Sequence, residues 1–203
     1  MKQGVFAFIH YFIAKTTHLI FVILIRMRTL DLDSFNELLK TADIKPRIKA
    51  ELKFIKSTED LPEDWSNYEL IAISDRTGDK GVLLLEPDSD LYIVQYELSR
   101  KIIDFKTGRR RAVICDFCYT WQAGSNASSI TFTVVNSKRK VRFLCCGDLN
   151  CSQHVRSLTK ASKVSRTQLR ENITDEGRVT RFKEKLRVKI SQLELVKLIV
   201  LPD

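Results

Sequence analysis

Two short stretches decide how this chain folds: Val113-Ile114-Cys115-Asp116-Phe117-Cys118-Tyr119-Thr120 and Leu144-Cys145-Cys146-Gly147-Asp148-Leu149-Asn150-Cys151. Between them they hold all five cysteines of the 203 residues. Cys115 and Cys118 form a C-x2-C pair, 27 residues intervene before Cys146, and Cys146 and Cys151 form a C-x4-C pair. Zn²⁺ takes four tetrahedral ligands, and a C-x-x-C turn brings two thiolates together while backbone N–H groups point at sulfur. A redox pair at Cys115 and Cys118 would leave Cys146 and Cys151 unexplained. Cys145, beside Cys146, and His154, three residues after Cys151, are the other candidates for a place in the set. A set closed by four protein ligands leaves no open position for water or substrate, which argues for a structural metal.

The surroundings of the pairs supply a layout. Ile130–Val135 and Val141–Leu144 read as a hairpin joined by the basic turn Asn136-Ser137-Lys138-Arg139-Lys140. A helix can start at Cys151 and run toward Leu158, placing the last ligand at a helix N-terminus, where the dipole favours a thiolate. Strand, knuckle, hairpin and helix-borne ligand make a treble clef, here spanning about residues 111–160.

Working outward, Glu69–Ser74, Val82–Leu85 and Leu91–Leu98 are apolar runs closed by Asp75-Arg76-Thr77-Gly78-Asp79 and Pro87-Asp88-Ser89-Asp90. Short turns between such runs predict an antiparallel meander. Before it, Asp33 or Ser34 can cap a helix through Leu39, and Ile48, Leu52 and Ile55 are spaced for a second helix through about Phe54. Residues 57–67 form an acidic connector with Trp65 as its anchor. After the finger, Thr174 caps a helix over about 174–198 whose apolar stripe is Val179, Phe182, Leu186, Ile190, Leu193 and Val196. The fold class is therefore α+β: an antiparallel sheet, flanking helices and a treble-clef zinc finger, in a single domain over residues 27–203.

Residues 1–26 stand apart. Residues 4–26 are mostly apolar but are interrupted by His10, Lys15, Thr16, Thr17 and His18. A spanning helix needs ~20 predominantly apolar residues, and a mid-span lysine costs about 2.5–3.5 kcal/mol. Three readings compete: a dispensable extension whose true start is Met27, a weak membrane or interface anchor, and a helix packed on the domain. No secretory cleavage pattern follows, so the clustered cysteines point to a reducing, cytoplasmic setting.

Charge is uneven. Residues 1–100 hold 13 Lys+Arg against 16 Asp+Glu, and residues 101–203 hold 21 against 9, leaving the second half at +12. Such a field favours an acidic partner, either protein or nucleic acid. The sequence has no G-x-G-x-x-G, P-loop, H-E-x-x-H or G-x-S-x-G motif, and His154 is its one histidine outside the extension. A binding role is expected, and no enzyme.

At Cys115-Asp116-Phe117-Cys118, and again at Cys146-Gly147-Asp148-Leu149-Asn150-Cys151-Ser152-Gln153-His154-Val155-Arg156, the sequence resembles the elongation-factor-G-binding, fusidic-acid-resistance family. That family carries C-x-x-C followed by C-x-D-x-x-C-S-x-x-x-R in a C-terminal treble-clef zinc finger. The resemblance runs from about Trp65 to the helix after Thr174. It implies zinc on Cys115, Cys118, Cys146 and Cys151, with Cys145 left as a small apolar residue. It also implies binding to elongation factor G and its release from stalled ribosomes. Residues 27–60 are too short for the N-terminal helical bundle of the full-length resistance proteins, so the chain resembles shorter, zinc-domain-only relatives. Candidate partner contacts are the two basic turns at the finger, with Arg109, Arg110 and Arg111 in one and Lys138, Arg139, Lys140 and Arg142 in the other. Arg156 and Lys160, ahead of Lys163, Arg166 and Arg170, follow the last ligand. These could meet acidic protein or rRNA phosphate, and Arg156 is the residue expected to offset the thiolate charge. Trp121 and Phe143 are read as core, and Asp148 as a residue that orients its loop.

Overall fold

The alternating segments after Trp65 form the sheet. In the computed structural model, which describes residues 30–61, 65–104, 106–135 and 137–198, Leu70–Ser74 (β1), Lys80–Leu85 (β2) and Tyr92–Ser99 (β3) make the antiparallel meander. Gly78 sits at φ 72° in the first turn, a conformation that disfavours a side chain. Two-residue strands Val113–Ile114 (β4) and Trp121–Gln122 (β5) pair with each other. Ala127–Thr133 (β6) then returns to β3, and Lys140–Cys146 (β7) pairs with β6, giving a five-stranded order β1-β2-β3-β6-β7. The readings of residues 1–26 fall outside the described residues. Among those described, no helix is long and apolar enough to cross a membrane.

Period-two alternation sends strand side chains to two cores, one on each face. Leu83, Leu85, Tyr96, Ile130 and Phe132 share one with the cysteines. Ile71, Ile73, Val82 and Leu84 share the other with Leu32–Thr41 (α1), Pro46–Glu51 (α2) and Phe54–Thr58 (α3). Phe35 stacks on Phe54 at 4.8 Å between centroids, and Trp65 closes the same core. The first core is completed by Cys151–Val155 (α4) and by Phe182 and Leu186 of Asp175–Gln192 (α6). Between these helices lies Lys160–Leu169 (α5).

Three expectations are corrected here, and one element is added. Asp31, not Asp33 or Ser34, caps α1, accepting from the Ser34 N–H at 2.8 Å. The helix expected through Phe54 is two, because Lys53 donates its N–H to the Ser74 carbonyl at 2.9 Å and Leu52 turns extended. That bond ties the linker to the sheet and leaves Ile55 exposed. The last helix stops at Gln192, with Glu194 in the left-handed region at φ 55°. Val196 therefore leaves the stripe and is 73% exposed. Finally, α5 has no apolar stripe and was not expected as an element.

Candidate metal centre

β4 delivers Cys115 and runs straight into the knuckle. Tyr119 donates its N–H to the Cys115 carbonyl at 2.9 Å, and Cys115 donates its own to Thr120 at 3.0 Å. The turn closes with Tyr119 at φ 59°. It aims the Phe117 N–H at the Cys115 sulfur, 3.4 Å away, which is the backbone-to-sulfur donation that stabilises a thiolate. The far end of β7 delivers Cys146, and a tight turn with Leu149 at φ 54° leads into α4, whose first residue is Cys151. Gly147 leaves room there for two side chains, since a Cβ would lie 2.8 Å from the Ser128 hydroxyl and 3.0 Å from Asn126 Oδ1.

The four sulfurs of Cys115, Cys118, Cys146 and Cys151 lie within 4.8 Å of one another, and all four residues are buried. The Cys115–Cys151 and Cys118–Cys146 sulfurs are 3.8 and 3.5 Å apart. A zinc tetrahedron with ~2.3 Å bonds has edges of about 3.8 Å, so the cage fits the ion. All five cysteines are free thiols. Burial alone would raise the Cys115 thiol, but hydrogen bonds from Cys118, Cys146 and Cys151 outweigh it and hold Cys115 well below the usual range. Burial pushes Cys145 well up, reinforced by the charges of Cys115 and Cys118, as expected of a neutral packing residue outside the cage.

A model of the FBP C-terminal treble-clef zinc-finger family matches residues 47–193. The chain belongs to that family. No curated protein and no solved structure matches it. The matched span takes in the meander and α6 as well as the finger, and among the described elements α1 precedes it. Zinc in this treble clef ties β4, β7 and α4 together through a closed thiolate set.

Around the finger's cage runs a polar chain that the spacing of the cysteines did not reveal. Buried Gln122 donates its amide to the Cys146 sulfur at 3.1 Å. Asn126 donates to Gln122 at 2.8 Å and to Asp148 at 3.1 Å. Asp148 accepts from the Asn150 N–H and meets His154 Nε2 at 3.2 Å, and His154 Nδ1 meets Thr159 Oγ1 at 2.6 Å. Burial would raise Asp148, but the His154 contact and these donors hold it below the usual carboxylate range. Asp148 therefore orients its loop, and His154 braces it from a buried position outside the four-sulfur set.

The basic candidates do not converge. Arg109, Arg110 and Arg111 are exposed beside the finger, where the Arg110 backbone backs onto Gly124. Lys138, Arg139 and Lys140 lie at the opposite end of the β6–β7 hairpin, about 20 Å of strand from Cys146. Arg139 pairs with Glu194 at 3.5 Å, and Arg142 donates to Thr131 at 3.4 Å. Lys160 is exposed at the start of α5. Arg156 is committed elsewhere than expected: its two terminal nitrogens donate to the Glu69 carboxylate at 2.9 and 2.7 Å. Ser152 completes this tether, accepting from the Glu69 and Leu70 N–H groups at 3.1 Å each. Arg178, fully buried on α6, sits instead among Glu171 and Asp175, 3.4 and 3.8 Å away.

Proposed function

We propose that this chain is a zinc-stabilised adaptor that binds elongation factor G in the cytoplasm and promotes its release from stalled ribosomes. The observation that carries the reading is family membership across residues 47–193. A binding role without catalysis agrees with the chemistry of the centre. Four thiolates fill the zinc shell, and His154, the histidine nearest to it in sequence, is buried with both ring nitrogens engaged. Arg109, Arg110, Arg111 and Lys160 supply exposed positive charge for an acidic protein face. The same exposed charge favours a second reading, an rRNA-binding module.

The deciding experiment mixes the zinc-loaded full chain with purified elongation factor G and with ribosomes, with and without nuclease, at low and high salt. Co-elution with the factor that survives nuclease supports the adaptor. Recovery of RNA alone, with affinity falling steeply as salt rises, replaces it with the second reading.

A further inference from the structure

Among the described residues, no strand pairs with one side of β3 at the end remote from the finger. β2 and β3 stay paired down to Tyr92, but the β3–β6 register stops at Tyr96↔Phe132. Beyond that point the chain after β6 bends away, with Val134 and Val135 donating to Arg139 and Leu193. Alternation tells which β3 groups face the gap. The Leu98 N–H bonds to Asp79 on the β2 side, so the odd-numbered residues of β3 face the other way. Leu91 does so, and its carbonyl accepts the Leu198 N–H at 3.0 Å. Glu97 does so opposite Thr131. Ile93 lies between them, and among the described residues no group pairs with its N–H or carbonyl.

This unpaired edge opens into a groove of about 780 Å³, within the range of roughly 300–1,000 Å³ of ligand pockets. Ile93, Val134, Val135 and Leu195 give it apolar walls, and exposed Lys45, Lys138 and Lys140, against Asp43, make its rim net positive. We propose that the groove is a second interaction site, taking an extended segment of an acidic partner protein by strand addition. The partner's backbone pairs with Ile93, its alternate apolar side chains rest on the walls, and its carboxylates meet the lysines. Charge complementarity favours an acidic occupant. The chain's own first 29 residues carry Lys2, Lys15, Arg26 and Arg28 and no Asp or Glu, so they match the rim poorly.

The probe is an end-blocked peptide Glu-Val-Thr-Val-Glu, with Lys-Val-Thr-Val-Lys as control, titrated into the zinc-loaded full chain and followed by amide NMR. The acidic peptide is expected to shift the Ile93 amide and slow its hydrogen exchange, and the basic control to leave it unmoved. Ile93→Pro removes the groove-facing donor together with the Ile93 side chain and is expected to abolish binding at unchanged zinc content. The surface pair Lys138→Glu and Lys140→Glu, which leaves the backbone intact, is expected to weaken binding at least tenfold, on the order of a like-charge contact. Equal response to both peptides, or acidic-peptide binding that ignores Ile93 and both lysines, overturns the proposal. So does concentration-dependent self-association that protects Ile93 without peptide, because the occupant is then a second copy.

Discussion

Cys145 and Cys146 sit side by side at the end of β7 in the same core, yet one of the two thiols ligates and the other does not. Cys146 enters the cage, whereas Cys145 packs into the sheet opposite Ser128. Cys146→Ser should therefore abolish stoichiometric zinc, and Cys145→Ser should keep it, as read by elemental analysis of purified reduced protein. The Gln122 amide makes a subtler prediction. A partner that donates to a ligating atom typically carries 10–100-fold in metal affinity. Gln122→Leu keeps comparable bulk and removes the donor to the Cys146 sulfur, so competition with a chelator should find zinc bound about tenfold more weakly. Thiolate spacing made Cys115, Cys118 and Cys151 legible and left the fourth place open to Cys145 or Cys146, where the family resemblance pointed to Cys146. Gln122 carries no such signal: its role depends on β5 crossing behind Cys146, a tertiary fact absent from any local pattern.

At the scale of elements, the finger is fastened to the sheet by Ser152 and Arg156 of its last-ligand segment gripping the start of β1. The Glu69 side chain is 6% exposed and that of Arg156 22%. Removing one partner of a buried pair costs about 3–5 kcal/mol, reduced here because the guanidinium keeps some water, so Arg156→Met should cost about 2 kcal/mol in chemical denaturation. Replacing both, Glu69→Leu with Arg156→Leu, should recover most of that loss. Strands and turns were readable because alternation and Asp/Gly/Pro punctuation are local. The break at Leu52 and Lys53 was not, because a long-range bond to Ser74 overrides helical spacing. α5 escaped notice because its buried positions are Ser162 and Ser165, with Ser165 Oγ accepting from the Trp121 N–H at 2.8 Å. Its one visible signal was the Thr159–Ser162 capping box.

For the whole molecule, the question is whether the metal holds both cores or one. Zinc binding supplies folding free energy on the order of 10–16 kcal/mol in small fingers, as large as the typical 5–15 kcal/mol stability of a domain. The finger core cannot outlast that loss, since four of its buried residues are the ligands themselves. The second core contains no cysteine, and α1, α2 and α3 cover it independently on the other face of β1 and β2. The two tryptophans report one side each. Trp121 lies on β5 against α5, and Trp65 is buried near Phe54, 6.2 Å between ring centroids. With Trp65→Phe and Trp121→Phe variants isolating each signal, chelator titration should red-shift Trp121 emission while Trp65 emission holds. Denaturant should then be needed to move Trp65. Coincident shifts of both probes at one chelator concentration would instead make the sheet a single cooperative unit whose two faces stand or fall with the metal.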